Sequence, residues 1–296
     1  MSEDTAADAS AIEEHRPHLL AVGYRLLGSR ADAEDAVQDA WVRWDRLGPE
    51  GRAAVRDVRA WLSTAVARLC LDRVRSAPAR RESYVGPWLP EPLLTTGPDD
   101  VLDAVVAAAD VRMATMLVLE HLTPDQRVAL VLHDSVGLGF DEVGVVLGTT
   151  APAARQLAHR GRRRVREAAG AGELPVPVGA PEQRRVLDAF LAALAAADVA
   201  ALVAVLHPDA ALRTDGGGVV KAARRVVRGH EKIARLLVAL LEEAGPELLA
   251  DVRPVTVNGE VGMIFPSSPP MVGVLTVADG RAVAVDVVMT PEKLRA

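Results

Sequence analysis

Two proline-rich stretches, and a change of hydrophobic period beyond the second, most constrain how this chain can fold. Residues 76–100 carry Pro78, Pro87, Pro90, Pro92 and Pro98. A proline inside a helix removes a backbone donor and clashes with the preceding turn, so this stretch does not fit a continuous helix. Residues 170–181, GAGELPVPVGAP, form a second linker-like stretch. A chain of 296 residues is comfortable for two or three domains. The expected organisation is a module over 10–80, a Pro-rich linker over 81–100, a module over 101–169, a short linker over 170–181 and a domain over 182–296.

The first two modules read as all-α. In 57–76, Val58, Trp61, Leu62, Ala65, Val66, Leu69 and Val74 recur at helical spacing, while Arg68, Asp72 and Arg75 share the opposite face. The last segment reads as α+β. Helices are expected at about 182–197 and 199–206, with His207-Pro208-Asp209 as a helix-ending turn. Val-rich alternating runs follow at 252–257, 260–265, 271–277 and 281–288. Asn258-Gly259 and Asp279-Gly280 sit between runs, and such pairs are the strongest short hairpin signal.

Net charge is -6, which looks wrong for a nucleic-acid binder, but the charges are sorted by sign. Residues 149–166, TTAPAARQLAHRGRRRVR, hold six Arg and no acid, whereas 31–45, ADAEDAVQDAWVRWD, hold five acids and one Arg. The basic stretch ends a helix-turn-helix pattern. Thr123 and Gln126 can form a capping box around Pro124, a second helix spans Phe140–Leu147 and stops at Gly148, and Thr149-Thr150 can cap a third. On that third helix Ala154, Leu157, Ala158, Gly161 and Val165 form the inward stripe. Arg155, His159, Arg163 and Arg166 line the outer face, with Gln156, Arg160 and Arg162 beside it. Arg and Gln suit base edges, and Arg near phosphate adds sequence-independent affinity. A macrodipole-stabilised helix end would need fewer arginines than this, so DNA binding is the favoured reading. The acidic helix, with Asp32, Asp35 and Asp39 on one side and Ala33, Ala36, Val37, Ala40, Trp41 and Trp44 on the other, is either a solvated face or a docking face for a basic partner.

In this order the segments resemble the extracytoplasmic-function (ECF) sigma factors of bacteria. HRPHLLAVGYRLLGSRADAEDAVQDAWVRW is similar to their region 2.1–2.2, RAWLSTAVARLCLDRVRS continuing to ARRESY to regions 2.3–2.4, and LTPDQRVALVLHDSVGLGFDEVGVVLGTTAPAARQLAHRGRRRV to region 4. The resemblance implies a factor that binds core RNA polymerase and directs promoter-specific initiation. It implies core-polymerase contacts at Asp32, Glu34, Asp35, Gln38, Asp39 and Trp41, and minus-10 contacts at Arg68, Asp72, Arg75, Arg80 and Arg81. It implies minus-35 contacts at Arg155, Gln156, His159, Arg160 and Arg163. Some of these charges also fit intrahelical pairs, such as Arg68 with Asp72.

Trp88-Leu89-Pro90-Glu91-Pro92 matches a WLPEP signature of one sigma-factor group whose C-terminal domain resembles SnoaL-like proteins of the nuclear transport factor 2-like fold. Asp215, Gly216, Gly217 and Gly218, with Lys221 after the intervening Val219 and Val220, resemble that group's DGGGK motif. Val257-Asn258-Gly259-Glu260 and Thr290-Pro291-Glu292-Lys293-Leu294 resemble its late motifs. The resemblance implies that these motifs regulate the chain. On physical grounds an exposed Trp between prolines is costly, so docking of Trp88 into a groove is favoured over a collapsed loop.

No catalytic role is expected. His207, Asp215, His230 and Asp286 are the local acid–base candidates, and no spacing makes two of them a dyad. The Gly run lacks the ending of a phosphate loop. No cofactor or metal is expected, since His15 and His18 alone do not define a site. The single cysteine, Cys70, lies in an apolar pattern and reads as a buried hydrophobe. The acidic N-terminus and the lack of a long apolar run predict a cytoplasmic protein without membrane association. Two alternatives stand beside the leading one: an autonomous helix-turn-helix regulator, and a sensor or enzyme with a small ligand in the C-terminal domain.

Overall fold

The computed structural model describes residues 3–82, 84, 86–95, 111–171, 174–245 and 247–294, with side chains except those of residues 3–12 and 77–82. The chain forms two compact units. One comprises residues 1–80, 99–111 and 115–173, the other residues 81–98, 112–114 and 174–296.

The first unit opens with α1 (Glu3–Leu27), α2 (Arg30–Asp45), α3 (Gly48–Ala53) and α4 (Val58–Glu82). Gly28, at φ 68°, ends α1 in the left-handed region, and the Ser29 hydroxyl caps α2 by accepting from the Asp32 amide at 3.3 Å. α1 and α2 approach closely at Gly23, where an added Cβ would lie 3.0 Å from that of Ala33. The expected stripes are inward: Ala33, Ala36, Val37, Ala40 and Trp44 of α2 are buried, as are Leu62, Ala65, Val66 and Val74 of α4. Trp44 meets Trp61 edge to face at 5.3 Å. Cys70 is buried, and burial pushes its thiol up to about 12. Pro78 does not end α4, which runs on to Glu82 despite the donor that the proline removes and its clash with the preceding turn.

α5 (Met113–Glu120) precedes the helix-turn-helix of α6 (Pro124–Val131), a π turn over Leu132–Val136, α7 (Phe140–Leu147) and α8 (Ala151–Gly170). The capping box is present: Gln126 N donates to Thr123 Oγ1 at 3.4 Å and Thr123 N to Gln126 Oε1 at 3.3 Å. Thr150 Oγ1 accepts from Ala153 N at 3.4 Å to start α8. Gly137 and Gly148, at φ 81° and 66°, make the sharp turns on either side of α7. Arg127 is a buried charge that its sequence position does not announce. It pairs with buried Glu120 and donates from Nε to the Arg25 carbonyl at 2.8 Å, tying α6 to the last turn of α1. A Cβ at Gly144 would lie 2.8 Å from the Thr149 carbonyl oxygen. Gly144→Ala is therefore expected to cost about 1–3 kcal/mol through overpacking of the α7–α8 turn, read as a fall in the melting temperature of the helical unit.

In the second unit, β1 (Leu94–Thr95) is followed by α9 (Ala180–Ala195), α10 (Val199–Val205), β2 (Leu206–Asp215) and β3 (Val227–Arg228). Then come α11 (His230–Ala244), α12 (Glu247–Ala250), β4 (Arg253–Val257), β5 (Glu260–Phe265), β6 (Met271–Ala278) and β7 (Arg281–Val288). They build one seven-stranded sheet in the order β1-β4-β5-β6-β7-β2-β3. All neighbours are antiparallel except β2 with β7, so the α+β expectation holds. Asn258, Gly259, Asp279 and Gly280 all have positive φ, as two-residue hairpin turns require. One sheet face packs on the helices through Leu212, Met263, Phe265, Leu275 and Val285 against Phe190, Leu202 and Ile233.

Two expectations are corrected here. His207-Pro208-Asp209 is not a turn but the start of β2, where irregular register with β7 tolerates the proline. The Pro-rich stretch is not wholly a free connector, since β1 lies in it and adds an edge strand to the sheet through Leu94 opposite Val257 and Thr95 opposite Thr256. Among the described residues no helix is long and apolar enough to cross a membrane, and no cluster of His, Cys, Asp or Glu could hold a metal ion.

Candidate functional site

The acidic helix α2 turns Asp35, Gln38 and Asp39 to solvent, with Asp32, Glu34 and Trp41 partly covered. Its acids are unequally engaged. Glu34 pairs with Arg30 at 2.9 Å, Asp39 lies 3.6 Å from Arg73 of α4, and Arg73 also donates to the Asp32 carbonyl. Asp35 has no ion-pair partner among the described residues and projects its full charge. Exposed Val42 and Leu47 follow on the same stretch of chain. Arg16 lies 6.0 Å from the Trp41 ring.

On α4, Arg68, Asp72 and Arg75 are exposed, as the helical spacing predicts. The intrahelical pair of Arg68 with Asp72 is not formed. Arg75 instead donates to Asp125 Oδ1 of α6 from Nε at 3.2 Å and from Nη2 at 2.9 Å. The side chains of Arg80 and Arg81 lie outside the described residues.

α8 presents Arg155, Gln156, His159, Arg160 and Arg163 to solvent, while Ala154, Ala158 and Gly161 face inward. Its arginines fall into two groups. Arg162 donates to Asp134 from Nε at 2.8 Å, and this hydrogen-bonded carboxylate raises its pKa. Arg163 and Arg164 reach Glu167 at 3.5 and 3.8 Å. Arg155 and Arg160 have no carboxylate partner among the described residues. The Arg155 guanidinium lies 5.2 Å from the Phe140 ring centroid instead.

Some of the regulatory candidates meet at one carboxylate, and Lys221 does not. Asp215, at the end of β2, is fully buried. Its Oδ2 accepts from Leu89 N at 2.8 Å and from Lys293 Nζ at 2.7 Å. Its Oδ1 accepts from Thr290 Oγ1 at 2.7 Å, from Gly217 N at 3.0 Å and from the Tyr84 hydroxyl. Burial alone would raise the Asp215 pKa, but the Lys293 ammonium and the hydrogen bonds outweigh it and hold the carboxyl below the usual range. Lys293 also donates to the Leu89 carbonyl and stands 4.3 Å from the Trp88 ring and 5.4 Å from the Tyr84 ring. Burial and the bond to Asp215 push the Tyr84 phenol up.

Trp88 is thus docked, but the deepest anchors are Leu89 and Leu93, with Pro90 and Pro92 also buried and Glu91 partly so. Leu93 and Asn258 exchange bonds: Leu93 N donates to Asn258 Oδ1 at 2.8 Å, and Asn258 N to the Leu93 carbonyl at 2.9 Å. The glycines after Asp215 serve close approach. A Cβ on Gly216 would lie 2.3 Å from the Val220 carbonyl oxygen, and one on Gly217, at φ 63°, 2.7 Å from Thr290 Cγ2. Gly218 also has positive φ. Lys221 is not the lysine at Asp215: it is exposed and pairs with Glu243 at 2.9 Å. The lysine that meets Asp215 is Lys293, from the late motif. Tyr84, Asn258, Thr290 and Lys293 lie in stretches that resemblance marked, but nothing local in the sequence pairs them with Asp215 or with the linker.

The acid–base candidates do not converge. Asp286 is buried against Arg213 at 2.7 Å, His230 Nδ1 is 3.3 Å from the Val203 carbonyl, and His207 Nδ1 accepts from Asp209 N.

A helix-turn-helix behind an acid-faced helical module, fused to an α+β domain, defines a class of transcription protein, and family models match each part. The model of Sigma-70 region 2 matches residues 11–80, that of Sigma-70, region 4 residues 112–165, and that of the SnoaL-like domain residues 187–290. The chain belongs to the ECF RNA polymerase sigma factors that carry a C-terminal SnoaL-like domain. It is 44% identical to the ECF RNA polymerase sigma factor SigJ of Mycobacterium tuberculosis, over 97% of this chain and 93% of that protein. It is 35% identical to the probable ECF RNA polymerase sigma factor SigI of the same species, over 83% of this chain and 84% of that one. The crystal structure of Mycobacterium tuberculosis SigJ superposes with a TM-score of 0.78 at 42% identity, covering 96% of this chain and 97% of the other.

Proposed function

We propose that this chain binds core RNA polymerase through α2 and directs promoter-specific initiation, reading the minus-10 element from α4 and the minus-35 element from α8. The observation that carries this reading is the outer face of α8. Gln156, His159 and Arg160 stand in solvent with no acid against them among the described residues, on a helix whose other side is packed. Asp32, Glu34, Asp35, Gln38, Asp39 and Trp41 form the polymerase-facing surface in this reading, and Asp35 is its exposed acid without an ion-pair partner among the described residues. Arg68, Asp72 and Arg75 contact the minus-10 strand, with Arg80 and Arg81 assigned by resemblance alone. Arg75 must leave Asp125 to do so. That exchange is cheap, because an ion pair this exposed is worth about 0–1 kcal/mol.

Run-off transcription with core polymerase tests the reading. Each DNA module alone makes a small interface, so the free protein is expected to bind promoter weakly and to initiate specifically once core is added. Asp35→Arg is expected to abolish co-purification with core while the fold persists. Retention of core by that variant sinks the assignment of α2, and tight promoter binding by the free protein favours an autonomous regulator.

The C-terminal domain, in this reading, modulates initiation by holding the linker. Residues 84–95 join the two promoter-reading modules in sequence, and Asp215, Asn258, Thr290 and Lys293 grip that same segment. A domain that binds or releases the linker biases which arrangements of the modules are accessible. The reading is regulatory rather than catalytic, because Asp215 is saturated with donors that tie it to the linker, and His207, His230 and Asp286 each bond elsewhere. No cofactor enters the proposal.

A further inference from the structure

The arginines of α8 are held in chemically different ways. Arg162, Arg163 and Arg164 each have a carboxylate, which neutralises charge and occupies guanidinium N–H groups. Arg155 has a ring. Its guanidinium lies 5.2 Å from the Phe140 centroid, within the range of a cation–π contact, and no carboxylate accompanies it among the described residues. A ring offers no hydrogen-bond acceptor of the carboxylate kind, and where it meets the face of a guanidinium it leaves the N–H edges available. Those edges are the part that reads the O6 and N7 acceptors of guanine.

Phe140 is itself held. It is the first residue of α7, set by the Gly139–Glu142 cap in which Gly139 N donates to Glu142 Oε2 at 3.0 Å. Its ring stacks on His133 with centroids 4.0 Å apart and planes 19° from parallel. His133 is in turn fixed by its Nδ1, 2.9 Å from the Leu138 carbonyl oxygen. Arg155 sits in the second turn of α8, near the helix end whose residues meet base edges in a helix-turn-helix. A long side chain at such a site loses rotamer freedom on binding, and a fixed ring that restrains it beforehand lowers that cost.

We infer that Phe140, backed by His133, is a positioning residue for promoter readout: it stacks the Arg155 guanidinium so that its edge addresses guanine in the upstream element. This rests on the proposed assignment of α8 to the minus-35 element. Full-length protein with core polymerase is given a promoter pool randomised over that element, and base preferences are read from the transcripts. Arg155→Ala is expected to erase a guanine preference at one position. Phe140→Leu weakens the same preference about three- to tenfold, Phe140→Tyr preserves it, and Phe140→Leu adds nothing once Arg155 is Ala. If Arg155→Ala changes no base preference, the promoter assignment of Arg155 fails and the inference with it. If Arg155→Ala erases the preference but Phe140→Leu keeps it, or lowers initiation equally on all sequences, the inference alone is overturned. Circular dichroism melting of the Phe140 variants separates loss of fold from loss of orientation.

Discussion

Asp215→Ala is expected to release residues 84–95 from the C-terminal sheet. The substitution strands Lys293, whose side chain is only 14% exposed, and removes the acceptor for Leu89 N, Gly217 N, Thr290 Oγ1 and the Tyr84 hydroxyl. Breaking one partner out of a buried charge pair costs about 3–5 kcal/mol, which falls directly on the contact that holds Leu89. Amide exchange of Leu89 and Leu93 should rise by orders of magnitude while β6 and β7 stay protected. Because the linker is where the proposal places control, run-off output should change too. Exchange at Leu89 equal to that of the parent chain would show that the hydrophobic anchors suffice without the carboxylate. The pH dependence has a definite sign. Asp215 is held below the ordinary aspartate value of about 3.9, so its contribution is fully present above that value and is lost only as pH falls through the lowered one. The clasp should therefore survive mild acidification.

Arg213→Met is expected to destabilise the C-terminal domain by a similar amount, about 3–5 kcal/mol. Arg213 and Asp286 face each other across the parallel β2–β7 pair, and the Asp286 side chain is wholly buried. Burial pushes the Asp286 carboxyl up against the pull of the guanidinium. Without Arg213 the acid can remain only by taking up a proton. An acid raised in the folded state stabilises below its unfolded pKa and loses that contribution as pH rises through the folded one, so the variant should be weaker at pH 8 than at pH 5. Adding Asp286→Leu should recover most of the loss, since a buried ion pair is often replaceable by apolar groups. Urea unfolding followed by far-ultraviolet circular dichroism reads all three proteins. A double variant no more stable than Arg213→Met would mean the pair holds the sheet in a way that apolar packing cannot replace.

The elements best foreseen are those whose signals are local. The Thr123–Gln126 capping box, the Gly148 stop and the Thr150 cap each act within a few residues, and each is present. The Asn258-Gly259 and Asp279-Gly280 turns follow from backbone sterics alone, and the runs at 260–265 and 281–288 become β5 and β7 with the expected ends. β2 is harder to read, because Leu206–Asp215 opens with His-Pro-Asp, which scores as a turn until a parallel partner, β7, is supplied. α4 outruns Pro78 for a related reason: a proline weighs against a helix locally, and the helix continued regardless.

Sequence by itself determined the three-part order, the faces of α2, α4 and α8, and the family to which the chain belongs. Those properties depend on periods of two and 3.6 residues and on motifs that lie contiguously along the chain. Only the tertiary structure decided that Lys293 rather than Lys221 meets Asp215, that Leu94 and Thr95 join the C-terminal sheet, and that Phe140 lies under Arg155. Each of these joins positions that no helical or strand period relates. A charge or a ring finds such a partner through the packing of elements that a linear pattern does not encode. The choice of lysine shows the physical rule: a buried carboxylate takes the ammonium that the fold delivers to it, whatever the spacing along the chain.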